Sequence, residues 1–220
     1  MENSKPVSKA ALRRQREREQ RYRTILDAAE TLFARKGYQQ TSMDEIADQA
    51  EVSVGTVYFY FKKKEDLLIA LLKEIGFDIR KLLGTEFKKA EASMDGLKNA
   101  GLAYFKNFCL QYPEKISIFF RESVGQSQAV EKQRKRYLVQ LTGDITDALI
   151  RIRNKRQISY ASHLSEELMA VCIVGIYERV ACHYLLWDDR SEDIMTVARD
   201  AVSFTLSGVE GLVDPPETAD

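Results

Sequence analysis

The chain has 220 residues, of which 45% are hydrophobic, enough for one ordinary domain or a small module on a larger one. Lys and Arg number 33, as do Asp and Glu, so the formal net charge is zero, which by itself argues against a nucleic-acid partner. The charged N-terminus has no apolar segment, so we expect no secretory signal. The longest near-continuous apolar run, Leu168 to Tyr177, falls short of the roughly 20 residues of a membrane span, which argues against a membrane partner.

The three cysteines are Cys109, Cys172 and Cys182, and each lies in an apolar stretch. An odd, small number of cysteines is typical of reduced thiols and not of a disulfide framework. We therefore expect a cytoplasmic protein.

The charge is unevenly distributed at the N-terminus. Residues 1–23 contain eight Lys or Arg against Glu2, Glu17 and Glu19, a net +5 for this basic arm. Such a cationic segment is typical of contact with phosphates. The alternative is a solvated helix start, because Glu17–Arg21 and Glu19–Arg23 are spaced for stabilising pairs within one helix.

Hydrophobic residues recur with helical periodicity almost throughout the chain, and no segment of period two is long enough for a sheet. Gly37 ends a first helix, Ser42 to Glu45 reads as a capping box that opens a second, and a fourth helix starts after Lys62–Lys64. The helices are predicted at about 20–36, 42–50, 54–61, 65 onward, 93–111, 114–124, 127–153, 164–187 and 191–212. This pattern predicts an all-α protein with a helix-turn-helix domain at 1–66 and a larger helical domain at 67–220, joined through the fourth helix.

The second and third helices carry the features that a helix-turn-helix needs. Ala47 is the small residue where the two helices cross, Ile46 and Val57 face inward, and Val52 fills the turn. The outward positions of the short third helix carry aromatic and hydroxyl side chains, an unusual choice for a helix without a binding partner.

Residues 23–72 resemble the TetR family of transcriptional regulators (AcrR-like) in order, spacing and residue type. The most specific stretches are Phe-Ala-Arg-Lys-Gly-Tyr, Thr-Ser-Met-Asp-Glu-Ile-Ala and Gly-Thr-Val-Tyr-Phe-Tyr-Phe-Lys-Lys-Lys-Glu-Asp-Leu. The resemblance covers about the first third of the chain, and the rest agrees only in size and helical pattern.

The resemblance implies a role for each side chain at a DNA interface. Val54 and Gly55 would approach base edges in the major groove, and Phe59 would pack near the sugars. Phosphates would be held by the remaining residues of the set: Thr41, Ser42, Thr56, Tyr58, Tyr60 and Lys64. Helix N-termini are also favourable positions for anions. One position departs from the family pattern, because Glu51 occupies the turn where glycine is usual.

The resemblance also implies that the last two helices pair with a second copy as a four-helix bundle, since a helix-turn-helix usually reads paired half-sites. Leu168 to Tyr177 is apolar all round and must be covered on several sides. Gly175 and Val202 are the positions where we expect the dimer interface. The alternative is that both helices belong to an intrachain core.

Large side chains in the second domain predict an effector pocket for an apolar or amphipathic molecule. The candidate lining residues are Phe105, Phe108, Phe119, Tyr137, Cys172 and Tyr177. Two basic clusters, at 132–136 and 151–156, could bind an anionic ligand such as an acyl thioester, although such runs are more often a solvated helix face. For each single aromatic residue, ordinary core packing is the alternative.

Enzyme chemistry has little support. There is no Gly-rich phosphate loop, no nucleophile elbow and no metalloprotease motif, and Cys182 and His183 diverge by about 100° on one helix. We expect no catalytic residues, no metal site and no cofactor.

The leading hypothesis is a homodimeric repressor that leaves a (pseudo)palindromic double-stranded operator when a small molecule binds. An effector-independent architectural DNA-binding protein would instead have a filled second domain. A helical small-molecule carrier or enzyme would show no salt-sensitive DNA binding.

Overall fold

The computed structural model describes residues 9–214, and the two terminal segments outside that range are left aside. Within it the chain forms nine α-helices. They are α1 (Lys9–Lys36), α2 (Met43–Gln49), α3 (Val54–Tyr60), α4 (Lys64–Lys89), α5 (Met94–Ala103), α6 (Pro113–Ser117), α7 (Gln128–Arg156), α8 (Ser165–Ala181) and α9 (Ile194–Gly211). The only β-pairing in this range is one isolated bridge between Tyr160 and Val213. The all-α prediction is therefore confirmed.

The chain divides into two compact units, and the boundary lies between Leu71 and Leu72. Both residues belong to α4, the helix that the sequence placed at the junction. The boundary falls five residues after the one expected from the sequence.

The first unit is built on a three-helix core. The apolar stripe of α1, which includes Ile25, Ala29 and Phe33, is fully buried, as are Ile46 of α2 and Val57 of α3. Its aromatic residues pack edge-on, with Phe33 and Tyr38 ring centroids 5.1 Å apart. The start of α1 differs from the expected position near residue 20, since the helix already begins at Lys9. Exposed pairs such as Arg13 with Glu17, 2.8 Å apart, favour this extension.

The second unit contains α5 to α9 and the last part of α4. Leu149 and Ile152 of α7, Ala170 of α8 and Val209 of α9 lie in one apolar cluster. The helix α7 begins at the N-cap Ser127, whose hydroxyl accepts the Val130 N–H. It ends at Gln157 in the left-handed conformation (φ 54°), a common helix stop. The predicted loop therefore begins after Arg156 and not after residue 153.

Three helices of this unit end in π-helical segments, at Tyr104–Cys109, Ile118–Glu122 and Cys182–Trp187. A π-helix has more residues per turn than an α-helix, so each segment shifts the face on which the following side chains lie. No 3.6-residue periodicity can anticipate such a shift. Two of these segments carry the aromatic residues from which the pocket was predicted.

The last two long helices keep an apolar surface outside the core. On α8, Leu168 and Val171 are 56% and 53% exposed, and Phe204 of α9 is 70% exposed. Gly175 lies on the exposed side of α8, with open space where a Cβ would be. Val202 differs from our expectation, because it is 1% exposed and packs against Gly101 of α5. It belongs to the core, so a charge there would unfold the unit and would not test an interface.

Within the described residues, the segment Ser165–Trp187 is long and apolar enough to cross a membrane. Of its most apolar 18-residue stretch, 28% is buried. The flanking π-helical segment extends the apolar run beyond the ten residues noted in the sequence. Core helices of soluble proteins meet the same criterion. Glu178 and Arg179 lie inside this stretch, and charges are costly in a bilayer.

Candidate nucleic-acid interface and ligand cavity

The helices α2 and α3 cross through small and apolar side chains. Ala47 is 2% exposed at the crossing, and the backbone N–H of Val52 in the turn donates to its carbonyl at 3.0 Å. Glu51 in the same turn has φ 54°. A residue with a Cβ is disfavoured in this left-handed region, so the turn has a strained position where the family pattern has glycine.

Serine side chains fix where both helices begin. The hydroxyl of Ser42 accepts the Glu45 N–H, and Glu45 accepts the Ser42 N–H at 2.9 Å, a reciprocal capping box. Ser53 caps α3 by accepting the Thr56 N–H at 3.2 Å. An ion pair with Lys36 and the Ser42 N–H hold the pKa of Glu45 below its usual value. The start of α3 is therefore set by Ser53.

One face of α3 is open to solvent. Val54, Tyr58 and Phe59 are 37%, 45% and 64% exposed, and Gly55 beside them is exposed as well. These positions are one helical turn apart, so they form a single surface, which we call the α3 face. It carries two large aromatic rings that the unit itself does not cover.

Thr56 and Tyr60 are half-buried beside the α3 face. The Thr56 hydroxyl lies 2.8 Å from that of Ser53, within the N-cap. The Tyr60 ring stands edge-on to Tyr22 of α1, with centroids 6.4 Å apart. Both side chains therefore already have intramolecular partners.

Thr41 and Ser42 lie at the start of α2 but differ in accessibility. Thr41 is 2% exposed, and its hydroxyl donates to the Gly37 carbonyl at 2.8 Å. A buried hydroxyl with this partner cannot reach a phosphate, so the role expected for Thr41 is wrong in this structure. Ser42 is exposed, although its N–H and hydroxyl are used in the capping box.

The ammonium group of Lys64 already has hydrogen-bond partners within the chain. Its ammonium donates to the carbonyls of Tyr38, Gln39 and Thr41 at 2.7, 3.1 and 2.8 Å. It also lies 4.5 Å from the centroid of the Tyr38 ring. An ammonium has three N–H donors, so this carbonyl cage uses all of them. Burial lowers the pKa of Lys64. The predicted phosphate contact would require the cage to open.

The basic arm is helical as far as the structure describes it. Residues 9–20 of α1 are all exposed and include Arg14, Arg16 and Arg18, while the arm's first eight residues lie outside the described range. The arm therefore presents cations along an exposed helix.

The second unit contains a cavity of about 310 Å³ that is partly open to solvent. Its buried walls are apolar, with contributions from α4, α5, α7 and α8. They include Ile79, Phe87, Leu97, Ala100, Tyr104, Phe120, Tyr137, Leu141, Ala148, Ile173 and Tyr177. The exposed residues around it are charged and include Lys88, Asp144, Asp147 and Arg151. An apolar interior with a charged rim suits an apolar or amphipathic molecule.

Tyr104, Tyr137 and Tyr177 contribute hydroxyl groups to the walls, and the half-buried Glu178, whose pKa is raised by burial, contributes a carboxyl group. The Tyr177 hydroxyl lies 3.1 Å from that of Thr205, and burial raises the Tyr177 pKa to about 12. Burial also raises the pKa of Tyr137. Tyr137 and Tyr177 are neutral at physiological pH, so the buried part of the cavity has no charge from them.

Comparison with known proteins gives the first unit its family. The family model described as "Bacterial regulatory proteins, tetR family" matches residues 25–71, which span α2, the turn and α3. The helix-turn-helix unit therefore belongs to the TetR family. The resemblance stated from residues 23–72 is therefore confirmed.

Two relatives match different lengths of this chain. The fatty acid metabolism regulator protein of Bacillus subtilis is 28% identical over 196 residues, 86% of this chain and 95% of the relative. The transcriptional repressor KstR of Mycobacterium tuberculosis is 37% identical over 92 residues, 42% of this chain and 36% of KstR. The first similarity extends across both units.

The fold of this chain resembles that of solved structures. The crystal structure of FadR from Bacillus subtilis in complex with stearoyl-CoA matches with a TM-score of 0.74 and 22% identity. The match covers 85% of this chain and 98% of FadR. At this identity the match shows the shared fold.

The six predicted effector residues fall into three groups. Tyr137 and Tyr177 line the cavity. Phe105, Phe108 and Phe119 are buried but are absent from its walls. Phe105 and Phe119 instead stand edge-on behind the lining tyrosines, with centroids 5.2 Å from Tyr177 and 4.6 Å from Tyr137. Cys172 is exposed on α8, on the side away from the buried residues, so its expected place in the pocket is wrong.

Tyr104 and Phe120 line the cavity but were not selected as effector residues, although each follows or precedes a selected residue. Helical neighbours point about 100° apart, so an error of one position exchanges a lining residue for one behind it. Both lie in π-helical segments, where the register shifts.

Between residues 9 and 214 no group of three or more His, Cys, Asp or Glu is arranged to hold a metal ion.

Proposed function

We propose that this chain is a sequence-specific transcriptional regulator that binds double-stranded operator DNA through the α3 face. The observation that carries the proposal is the exposure of Val54, Gly55, Tyr58 and Phe59 on a helix fixed by a helix-turn-helix core. A recognition helix inserts such a face into the major groove. The basic arm would supply phosphate contacts that do not depend on sequence.

We infer that two copies pair through the exposed apolar surface of α8 and α9, defined by Leu168, Val171, Gly175 and Phe204. Both helices are long enough for a helical bundle, and a second copy would remove these exposed apolar side chains from water. A dimer of this kind reads a (pseudo)palindromic site whose half-sites lie one DNA turn apart, or a multiple of it. The chain would work in the cytoplasm, where its exposed Cys172 stays reduced.

The effector of this regulator is an apolar or amphipathic molecule that occupies the cavity. An architectural DNA-binding protein has no need of such a space, which disfavours that alternative. Apolar cavities of about 150 Å³ bind benzene, so a cavity of about 310 Å³ has room for roughly a dozen carbon atoms. The relative that regulates fatty acid metabolism and the FadR complex with stearoyl-CoA favour a fatty acyl chain.

Repression is the action we propose, with the ligand lowering operator affinity. A ligand shifts the equilibrium only by its different affinity for the DNA-bound and free forms. Six residues of α4 between Ile79 and Lys88 line the cavity. They give the ligand direct contact with the helix that begins at Lys64.

The experiment that tests DNA binding is selection of binding sites from random and genomic DNA by the purified full chain. We expect enrichment of paired half-sites about 34–36 Å apart, or a multiple of that distance. Substitution of Val54 with Ala should change the enriched bases, whereas Tyr58→Phe should weaken all sites alike. Enrichment of no sequence would contradict the proposal.

A further inference from the structure

A groove of about 220 Å³ lies on the second unit between α4 and α7, beside the cavity. The proposed apolar chain does not need it. Its lining residues are Leu72, Lys73, Gly76, Phe77, Arg80, Gln133, Arg136, Tyr137 and Gln140. We call it the basic groove.

The lining of the basic groove is cationic. It contains Lys73, Arg80 and Arg136 and no carboxylate. Arg80 is neutralised, because its Nη2 donates to Asp144 at 2.9 Å. Lys73 and Arg136 are exposed, and neither forms an ion pair with any residue in the described range 9–214. The groove therefore presents two uncompensated positive charges to any molecule that enters it.

An aromatic ring lies beside these charges. Phe77 is 63% exposed, and the Lys81 ammonium lies 5.9 Å from its ring centroid. A flat apolar ring next to cations can pack against a planar group that also carries negative charge. The glutamine side chains of the groove add neutral hydrogen-bonding groups.

The basic groove and the cavity share two of their lining residues, Arg80 and Tyr137. A Cβ at Gly76 would stand 2.4 Å from Cδ2 of Tyr137, so glycine lets that ring lie against the backbone of α4. The ring and the Arg80 side chain thus form the boundary between an apolar space and a cationic one. One molecule could extend past Arg80 with its apolar part inside and its polar part in the groove.

We propose that the basic groove binds the anionic, phosphate-bearing headgroup of the same effector whose apolar chain fills the cavity. This inference rests on the proposed function only for the identity of the chain in the cavity. Lys73 and Arg136 pair with the headgroup, and Phe77 packs against its planar part. The headgroup then contributes affinity and selectivity beyond what the apolar walls provide.

The test compares decanoyl-coenzyme A with 1-decanol, which has the chain length but no charge, in calorimetric binding to the full chain. The variant Lys73→Gln/Arg136→Gln removes both charges. Lys98→Gln/Lys106→Gln is the control, because both lysines are exposed elsewhere on the same unit. We expect the first variant to bind decanoyl-coenzyme A about tenfold more weakly than the wild type does. The loss should shrink at high salt, and the affinity for 1-decanol should not change.

Three results would overturn the proposal. They are an unchanged affinity for decanoyl-coenzyme A, an equal loss for both ligands, and no binding of either ligand to the wild type. Coenzyme A alone should bind far more weakly than its decanoyl thioester, and equal affinities would mean a nucleotide site independent of the cavity. Failure of the proposed regulation is distinct, since decanoyl-coenzyme A would then bind as expected but leave the operator complex intact.

Discussion

The hydrogen bonds of Lys64 to three backbone carbonyls give this residue a structural role in place of the expected phosphate contact. The resemblance to the family assigned its charge to a phosphate, whereas the structure directs all three of its N–H donors to the backbone of residues 38–41. This backbone leads into α2. Lys64 therefore supports the segment from which the helix-turn-helix starts.

Replacing Lys64 with Met should lower the free energy of unfolding by about 1–2 kcal/mol, because three carbonyls lose a charged donor. The salt dependence of operator binding should not change, since no phosphate contact is lost. Urea unfolding and binding titrations at several salt concentrations measure the two quantities. Lys62→Met is the control, because the exposed Lys62 donates only to the Tyr58 carbonyl. If the salt dependence of operator binding becomes weaker while the free energy of unfolding is unchanged, Lys64 contacts a phosphate as the family resemblance implies.

Individual cavity residues were predictable only to within one position. Helical periodicity identified the right aromatic stretches, and Tyr137 and Tyr177 lie where they were expected. It also selected Phe105 and Phe119 where their neighbours Tyr104 and Phe120 line the cavity. The face of a residue in a π-helical segment depends on a local hydrogen-bond shift that composition does not reveal.

The left-handed conformation of Glu51 strains the turn between α2 and α3 and lowers the stability of the first unit. Glu51→Gly should raise the free energy of unfolding by up to about 1 kcal/mol, because glycine is unstrained at positive φ. Its greater freedom in the unfolded chain reduces the gain. Thermal and urea unfolding measure the change.

The matched variant for this turn is Glu51→Ala, which removes the carboxylate but keeps a Cβ at φ 54°. It should give no comparable gain. Equal stabilisation by alanine and glycine would assign the effect to charge and not to backbone strain.

The exposed arginines of α1 should strengthen binding to DNA. Changing Arg14, Arg16 and Arg18 to Gln should weaken binding to all DNA sequences most at low salt, because fewer counterions are released. Each phosphate contact that is lost should reduce the slope of log K against log salt by about 0.9. Fluorescence anisotropy between low and high salt measures this. Binding that is unaffected at low salt would make the described part of the arm a solvated helix.

At the level of elements, the sequence predicted the helices well. The capping box at Ser42 lies in local sequence and marked the start of α2, and the predicted bounds of α2, α3 and α7 lie within three residues of those observed. The early start of α1 and the π-helical ends were not predicted. Burial was predictable for the helix-turn-helix core, whereas Val202 could be assigned to either side of α9 until its contact with Gly101 was known.

At the scale of the whole molecule, the exposed apolar surface of α8 and α9 determines the proposed assembly. Phe204→Glu places a charge on that surface and should weaken association by about 3–5 kcal/mol. Because Phe204 is 70% exposed in one chain, the fold should survive. Sedimentation should show monomers, and circular dichroism should show native helix content.

Val139→Glu is the matched control for the assembly, since Val139 of α7 is 62% exposed but lies on another helix. It should remain dimeric. Dimers of Phe204→Glu at the same concentration would place the interface elsewhere.

The central claim is that a molecule in the cavity of the second unit releases DNA bound by the first. The most direct measurement is the anisotropy of labelled operator titrated with decanoyl-coenzyme A, for the wild type and for Ile145→Trp. Ile145 lines the cavity, and Val139→Trp is an exposed control for the added ring. We expect the ligand to release operator DNA from the wild type and from the control. Ile145→Trp should bind the operator as tightly as the wild type does, and the ligand should not release it. Release from Ile145→Trp at the wild-type ligand concentration, or no release from the wild type, would contradict the central claim.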